Sequence, residues 1–150
     1  MKIKKYNLLC PLRLEMDVQE STKDLLIPKN MMQPFVENSI KHAFNDFMDE
    51  GIIKVQIRRK KDRLLCSITD NGNGISSQVL ENLLTQEDQD ETHIGIYNTY
   101  QRMKLFYNDD CRLTFDSDGK SFTEVKLDIP AQIPINAPEG DEKHEDHDRG

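Results

Sequence analysis

Apolar and polar residues alternate along this chain with two different periods. Leu14, Met16 and Val18 are interleaved with Arg13, Glu15 and Asp17, the period of two expected of a strand with one buried face. Pro28 breaks that pattern. From Met31 to Phe47 the apolar residues Met32, Phe35, Val36, Ile40, Ala43, Phe44 and Phe47 recur at three- and four-residue steps, which predicts an amphipathic helix with Pro34 tolerated in its first turn. Glu37, Asn38, Lys41 and His42 fall largely off that stripe. Ile53, Val55 and Ile57 then alternate with Lys54, Gln56 and Arg58, and RLLCSIT forms the second arm of a hairpin that turns around Lys60 to Asp62.

The second arm runs straight into Asp70-Asn71-Gly72-Asn73-Gly74. Ser76 or Ser77 caps a short helix through Leu84, and the polar, acidic stretch from Thr85 to Thr92 reads as a mobile loop. Gly95 opens a helical pattern through Ile96, Tyr100, Met103, Phe106 and Tyr107 that ends near Asn108. RLTFDS and SFTEVKLDI supply two final strands, and Pro130, Pro134 and Pro138 lead into an acidic, disordered exit. The pattern divides the chain into a lead-in over 1–12, one domain over 13–130 and a tail over 131–150. Helices interleaved with mainly hairpin-connected strands imply a two-layer α/β sandwich, with a mixed, mostly antiparallel sheet covered by helices on one face.

Composition changes this picture little. A chain of 150 residues with 36% hydrophobic residues can bury one core without disulfides or structural metal. The net charge of −7 gives no support to an electrostatic grip on nucleic acid or on a membrane surface. Between Pro138 and Gly150, six acids stand against Lys143 and Arg149, a net of −4, so the body is only mildly acidic. Cys10, Cys66 and Cys111 are widely spaced and match no metal pattern, which is the usage of a reduced, intracellular compartment.

Three segments can carry chemistry. QPFVENSIKHAF places Glu37, Asn38, Lys41 and His42 on one flank of one helix, and an amide oxygen is a neutral hard ligand suited to Mg²⁺. A solvated helix face would look the same. In DNGNGI the alternate glycines Gly72 and Gly74 let backbone approach a flat or anionic ligand. A tight turn also uses such a sequence, but it has no need of Asp70, whose carboxylate at the strand end can accept a hydrogen bond from an exocyclic amine. HIGIYN stands where a helix starts, and free N–H groups there favour a phosphate.

In this order and spacing, MQPFVENSIKHAF, DNGNGI and HIGIYNTYQRMKLFY resemble the N, G1 and G2 boxes of the GHKL superfamily, whose members share the Bergerat ATP-binding fold. The wording IPKNMMQPFVENSIKHAF is most similar to LytS-type sensor histidine kinases. The resemblance implies that Asn38 coordinates Mg²⁺ and that Asp70 binds the adenine amino group, with Gly72, Gly74 and Ile75 forming the adenine-pocket turn. It implies that Glu37, Lys41 and His42 stand near metal and phosphates. Gly95, Asn98 and Arg102 would shape the lid and triphosphate site, and Thr123 would line the adenine pocket. Two positions depart from the family pattern, because His93 and Phe122 stand where glycines are usual.

Hydrolytic relatives carry a general-base glutamate four residues before the N-box asparagine; here that place is Pro34, which can do no proton chemistry. The resemblance therefore implies a two-component kinase domain that aligns Mg-ATP for γ-phosphoryl transfer to a histidine. That histidine lies outside this chain, on a helical phosphoacceptor domain of the parent kinase, with a response regulator downstream. His42, His93, His144 and His147 are not expected to be phosphorylated. A cytoplasmic domain on a membrane-anchored parent is the expected setting, and a monomer the expected state. The alternatives are a nucleotide-sensing module that binds without catalysing and an ATPase acting as a clamp.

Overall fold

The structure, a computed structural model, describes residues 10–85 and 91–132, with backbone alone for 91–93. The acidic tail with His144 and His147, most of the Thr85–Thr92 loop and the His93 side chain lie outside the described residues.

Five strands form one sheet in the order β1-β2-β3-β5-β4. β1 (Leu12–Val18) runs parallel to β2 (Gly51–Lys60). The other neighbours, β3 (Arg63–Asp70), β5 (Thr123–Pro130) and β4 (Arg112–Ser117), pair antiparallel. The expected mixed, mostly antiparallel sheet is what the chain builds. Its inner face carries Ile53, Val55, Leu64, Cys66, Ile68, Val125, Leu127, Ile129 and Leu113, all buried. The outer face carries Lys54, Gln56, Ser67, Lys126 and Thr114, so the period of two turns one side to core and the other to water.

α1 (Gln33–His42) lies on the inner face, with Phe35, Val36 and Ile40 buried. It is shorter than the apolar stripe predicts, and the missing bonds show why. To continue, the helix would need the Phe47 N–H on the Ala43 carbonyl. That carbonyl instead accepts the Asn73 N–H at 2.8 Å, and the Phe47 N–H is taken by Asn45 Oδ1 at 2.9 Å. Phe47 is consequently 91% exposed and not part of the core.

β1 also departs from expectation. It is an edge strand, and Met16 is 53% exposed because an open groove of about 340 Å³, lined by Ile27, Pro28, Met31 and Ile57 among others, leaves it uncovered. α2 (Ser77–Asn82) is capped by Ser76, whose hydroxyl accepts the Val79 N–H at 3.3 Å. α3 (Glu91–Phe106) starts four residues before Gly95 and buries Ile96, Thr99 and Met103. It closes through left-handed residues Asn108 and Asp109, with the Asp109 N–H on the Lys104 carbonyl at 2.8 Å. Ala131 and Gln132 stay paired with the body, Gln132 by a backbone bond that accepts the Leu26 N–H at 2.8 Å. All three cysteines are free thiols.

Candidate functional site

β3 delivers Asp70 to the end of the sheet beside Thr123 of β5, its partner in register. Here the sheet meets the last turn of α1, and a cavity of about 210 Å³ opens between them. Its walls are Asn38, His42 and Ala43 from α1 and its end, Asp70 and Thr123 from the sheet, and Gly74, Ile75, Ser76 and Val79 from the following loop and helix.

Asp70 is 4% exposed, a position in which an unpaired carboxylate would be costly. Its Oδ2 accepts the Ser39 hydroxyl at 2.7 Å, and its Oδ1 accepts the Gly72 N–H at 3.0 Å. Burial pushes the carboxyl above the ordinary value of 3.8, and the Ser39 hydroxyl and the neighbouring backbone of Gly72 and Thr123 pull against it. Ser39 carries no signal in a motif reading of the sequence. Its signal is positional: it lies three residues after Val36 and four before Ala43, a hydroxyl on the buried stripe that needs a partner.

Asn38 is 6% exposed, and its Oδ1 is a buried acceptor with no hydrogen-bond partner among the described residues. Leaving a buried carbonyl oxygen unpaired costs about 1–3 kcal/mol. Asn38 lines the cavity, and a neutral hard oxygen left without a partner fits a Mg²⁺ ion whose other ligands are phosphate oxygens and water.

The loop after β3 is tied to the body by side-chain hydrogen bonds. Asn71 Oδ1 accepts the Ile52 N–H at 2.7 Å while Nδ2 donates to the Glu50 carbonyl at 3.1 Å. Asn73 and Asn45 join side chain to side chain at 3.0 Å. Both glycines serve packing. A Cβ on Gly72 would stand 2.3 Å from the Ala43 carbonyl oxygen, so close approach to the end of α1 requires glycine there. Gly74 has φ +76° and lies against Gly119 and Lys120 of the β4–β5 turn. That turn is knotted by Asp118, which accepts the Ser121 hydroxyl and the N–H groups of Ser121, Lys120 and Phe122, contacts that hold its carboxyl well below the usual range.

The remaining predicted residues are dispersed. Glu37 is half-buried, outside the cavity wall, and accepts the Gln33 side-chain amide at 2.9 Å. Lys41 and His42 are exposed, and only His42 reaches the cavity wall. Gly95, Asn98 and Arg102 are all on α3 and none lines the cavity. Asn98 is exposed; Arg102 donates to the Thr99 hydroxyl at 3.4 Å and faces a separate depression with Pro28 and Met31. Gly95 is not a helix start in this structure, and a Cβ there would meet nothing within 4 Å. Gly95→Ala is therefore expected to stabilise the chain by about 0.5–1 kcal/mol, read as a higher midpoint of thermal unfolding.

A one-sided α/β sandwich in which the sheet end and the helix over it bring a buried aspartate and a buried asparagine to one small cavity defines a nucleotide-binding domain of the GHKL class. The chain belongs to the family of histidine kinase-, DNA gyrase B- and HSP90-like ATPases, whose family model matches residues 23–133. Among curated relatives it is 26% identical over 135 residues to the sensor histidine kinase YesM of Bacillus subtilis, covering 90% of this chain and 22% of that protein. It is 30% identical over 135 residues to the sensor protein LytS of Streptococcus agalactiae, covering 89% and 23%. The chain thus spans about a fifth of the length of the relatives it matches. Among solved structures, the mycobacterial sensor histidine kinase MprB superposes with a TM-score of 0.61 at 15% identity, over 81% of this chain and 83% of that one. A histidine kinase domain from Erythrobacter litoralis gives 0.56 at 16% identity, over 80% and 52%. The resemblance drawn from the three sequence boxes is thereby borne out. Among the described residues no helix is long and apolar enough to cross a membrane.

Proposed function

We propose that this chain is the ATP-binding catalytic domain of a sensor histidine kinase, presenting Mg-ATP to a phosphoacceptor histidine on a helical domain of the same parent protein. The observation that carries the reading is the meeting of two complementary residues on one cavity: Asp70, an acceptor for the adenine amino group, and Asn38, whose buried side-chain oxygen has no partner among the described residues. The ATP-binding unit spans residues 13–130, and the parent is a membrane-anchored kinase with a response regulator downstream.

Each residue then has a physical task. Asp70 accepts from the base, while Ile75, Val79 and Ala43 offer apolar surface to its faces. Thr123 closes the pocket beside Asp70, and the Gly72–Gly74 loop fixes the floor. Asn38 would hold Mg²⁺, which when bound supplies neutralisation of the developing phosphate charge. His42 at the cavity mouth, and Lys41 one residue earlier on the same helix end, bring positive or hydrogen-bonding groups toward the phosphates. Pro34, in the first turn of α1, takes the place of the glutamate that activates water in hydrolytic relatives. Catalysis is positioning and charge stabilisation, and the nucleophile comes from the acceptor histidine.

Calorimetry with ATP, with and without Mg²⁺, tests this. The parent chain is expected to bind ATP more tightly with Mg²⁺, and Asn38→Ala to lose that gain, about tenfold in affinity or ~1.4 kcal/mol. A parent chain that binds no ATP would overturn the reading. Joined to the acceptor-bearing region, the chain should yield phosphohistidine; ATP binding without phosphohistidine in that longer protein would instead identify a nucleotide sensor.

A further inference from the structure

Ser39 stands next to Asn38 on α1 but is turned elsewhere, and it is 5% exposed. A buried serine in a helix usually satisfies its hydroxyl on the carbonyl one turn back. This one donates instead across 31 positions of sequence to Asp70 Oδ2, at 2.7 Å. The carboxylate torsion is intrinsically broad, since a terminal sp³–sp² bond has no sharp rotamers. Here its plane is pinned at both ends, by Ser39 on Oδ2 and by the Gly72 N–H on Oδ1 at 3.0 Å. An ionised carboxylate has about four lone-pair positions. Ser39 and Gly72 use two of them, which leaves acceptor capacity for a ligand on a side chain that lines the cavity.

We propose that Ser39 is a positioning residue that sets base selectivity, holding Asp70 so that its free acceptor capacity meets a purine that carries an exocyclic amino donor. The inference rests on the reading of the cavity as an ATP site. Ser39 itself touches no nucleotide. Without its hydroxyl the carboxylate is pinned at one oxygen only, its free lone pairs are no longer aimed, and the amino group loses its directed partner. A nucleotide with a carbonyl in place of that amino group never had the contact, so it has nothing to lose.

The test compares ATP with inosine triphosphate on the parent chain, on Ser39→Ala and on Ser39→Cys, which keeps the shape but offers only a weak donor. Thermal unfolding is measured on all three. Expected are a roughly tenfold preference of the parent for ATP, a fall of about tenfold in ATP affinity in Ser39→Ala, and unchanged inosine triphosphate affinity. Ser39→Cys, which preserves packing should the alanine variant not fold, should lose most of the preference. Ser39→Thr, which restores a hydroxyl, should recover it. Equal loss for both nucleotides, or an undiminished ATP preference in Ser39→Ala and Ser39→Cys, would show a merely structural serine and overturn the inference with the ATP site intact. A parent chain that binds neither nucleotide, or both equally, would overturn the adenine reading itself.

Discussion

Asp70→Asn is expected to bind ATP about a hundredfold more weakly than the parent chain while unfolding at a higher temperature at neutral pH. The affinity loss follows from chemistry at one contact. A carboxylate accepts from the adenine amino group, and a hydrogen bond to a charged partner is worth about 1.5–3 kcal/mol, against ~1.4 kcal/mol for each factor of ten in affinity. The amide must in addition place its own N–H₂ among donors that the carboxylate satisfied. The gain in stability has the opposite origin. Burial holds the folded-state pKa of Asp70 above its ordinary value of 3.8. As pH rises through that value the unfolded chain ionises first, so folding loses stability until the folded-state pKa is passed, and the loss persists above it. An uncharged amide escapes that loss. The advantage of Asp70→Asn in thermal unfolding should therefore be present at neutral pH, shrink as pH falls, and vanish below 3.8, where the folded and unfolded parent both hold the proton. Melting curves at several pH values, beside calorimetry with ATP, read both halves. Parent-like ATP affinity in Asp70→Asn would remove Asp70 from the base site.

Much of this arrangement is legible in the residues before any coordinates. The hairpin of β2 and β3, the apolar stripe of α1 and the aspartate at a strand end all follow from local periodicity, which is where sequence carries most of its signal. What periodicity cannot reach is the partner of a group across the sheet. The end of α1 is set by Asn73, thirty residues on from Ala43, whose N–H takes the Ala43 carbonyl; an apolar stripe that continues to Phe47 gives no hint of that competition. The exposure of Met16 depends on β1 being an edge strand, a fact of sheet order and not of alternation. The same limit explains the site. Asp70, Asn38 and Thr123 are recognisable as chemistry, yet the Ser39–Asp70 bond and the packing tasks of Gly72 and Gly74 belong to tertiary contacts. Gly95 shows the converse error. Glycine is read as a helix start, but Glu91, Thr92 and His93 continue the helix upstream, so the first turn forms on them and Gly95, Asn98 and Arg102 stay on a helix that packs beside α1.

Gly72→Ala should destabilise the chain by about 3 kcal/mol. The added Cβ would lie 2.3 Å from the Ala43 carbonyl oxygen and 2.4 Å from the Ala43 Cβ, atoms of backbone and of the shortest side chain, which have no free end to swing away. Relief requires the loop and the end of α1 to separate. That motion breaks the 2.8 Å bond from the Asn73 N–H to the Ala43 carbonyl, and it strains the 3.0 Å bond from the Gly72 N–H to Asp70. The backbone of Gly72 is not in the left-handed region, so the cost is one of contact and not of torsion. Two consequences separate this variant from Gly95→Ala, where the new methyl meets open space. Its unfolding midpoint should fall by roughly 10 °C, where Gly95→Ala should rise. Its ATP affinity should fall as well, because Asp70 loses a donor that fixes its carboxylate plane. A Gly72→Ala chain that melts with the parent would mean that the loop moves off α1 at little cost, and the welded pocket floor inferred from these distances would be wrong.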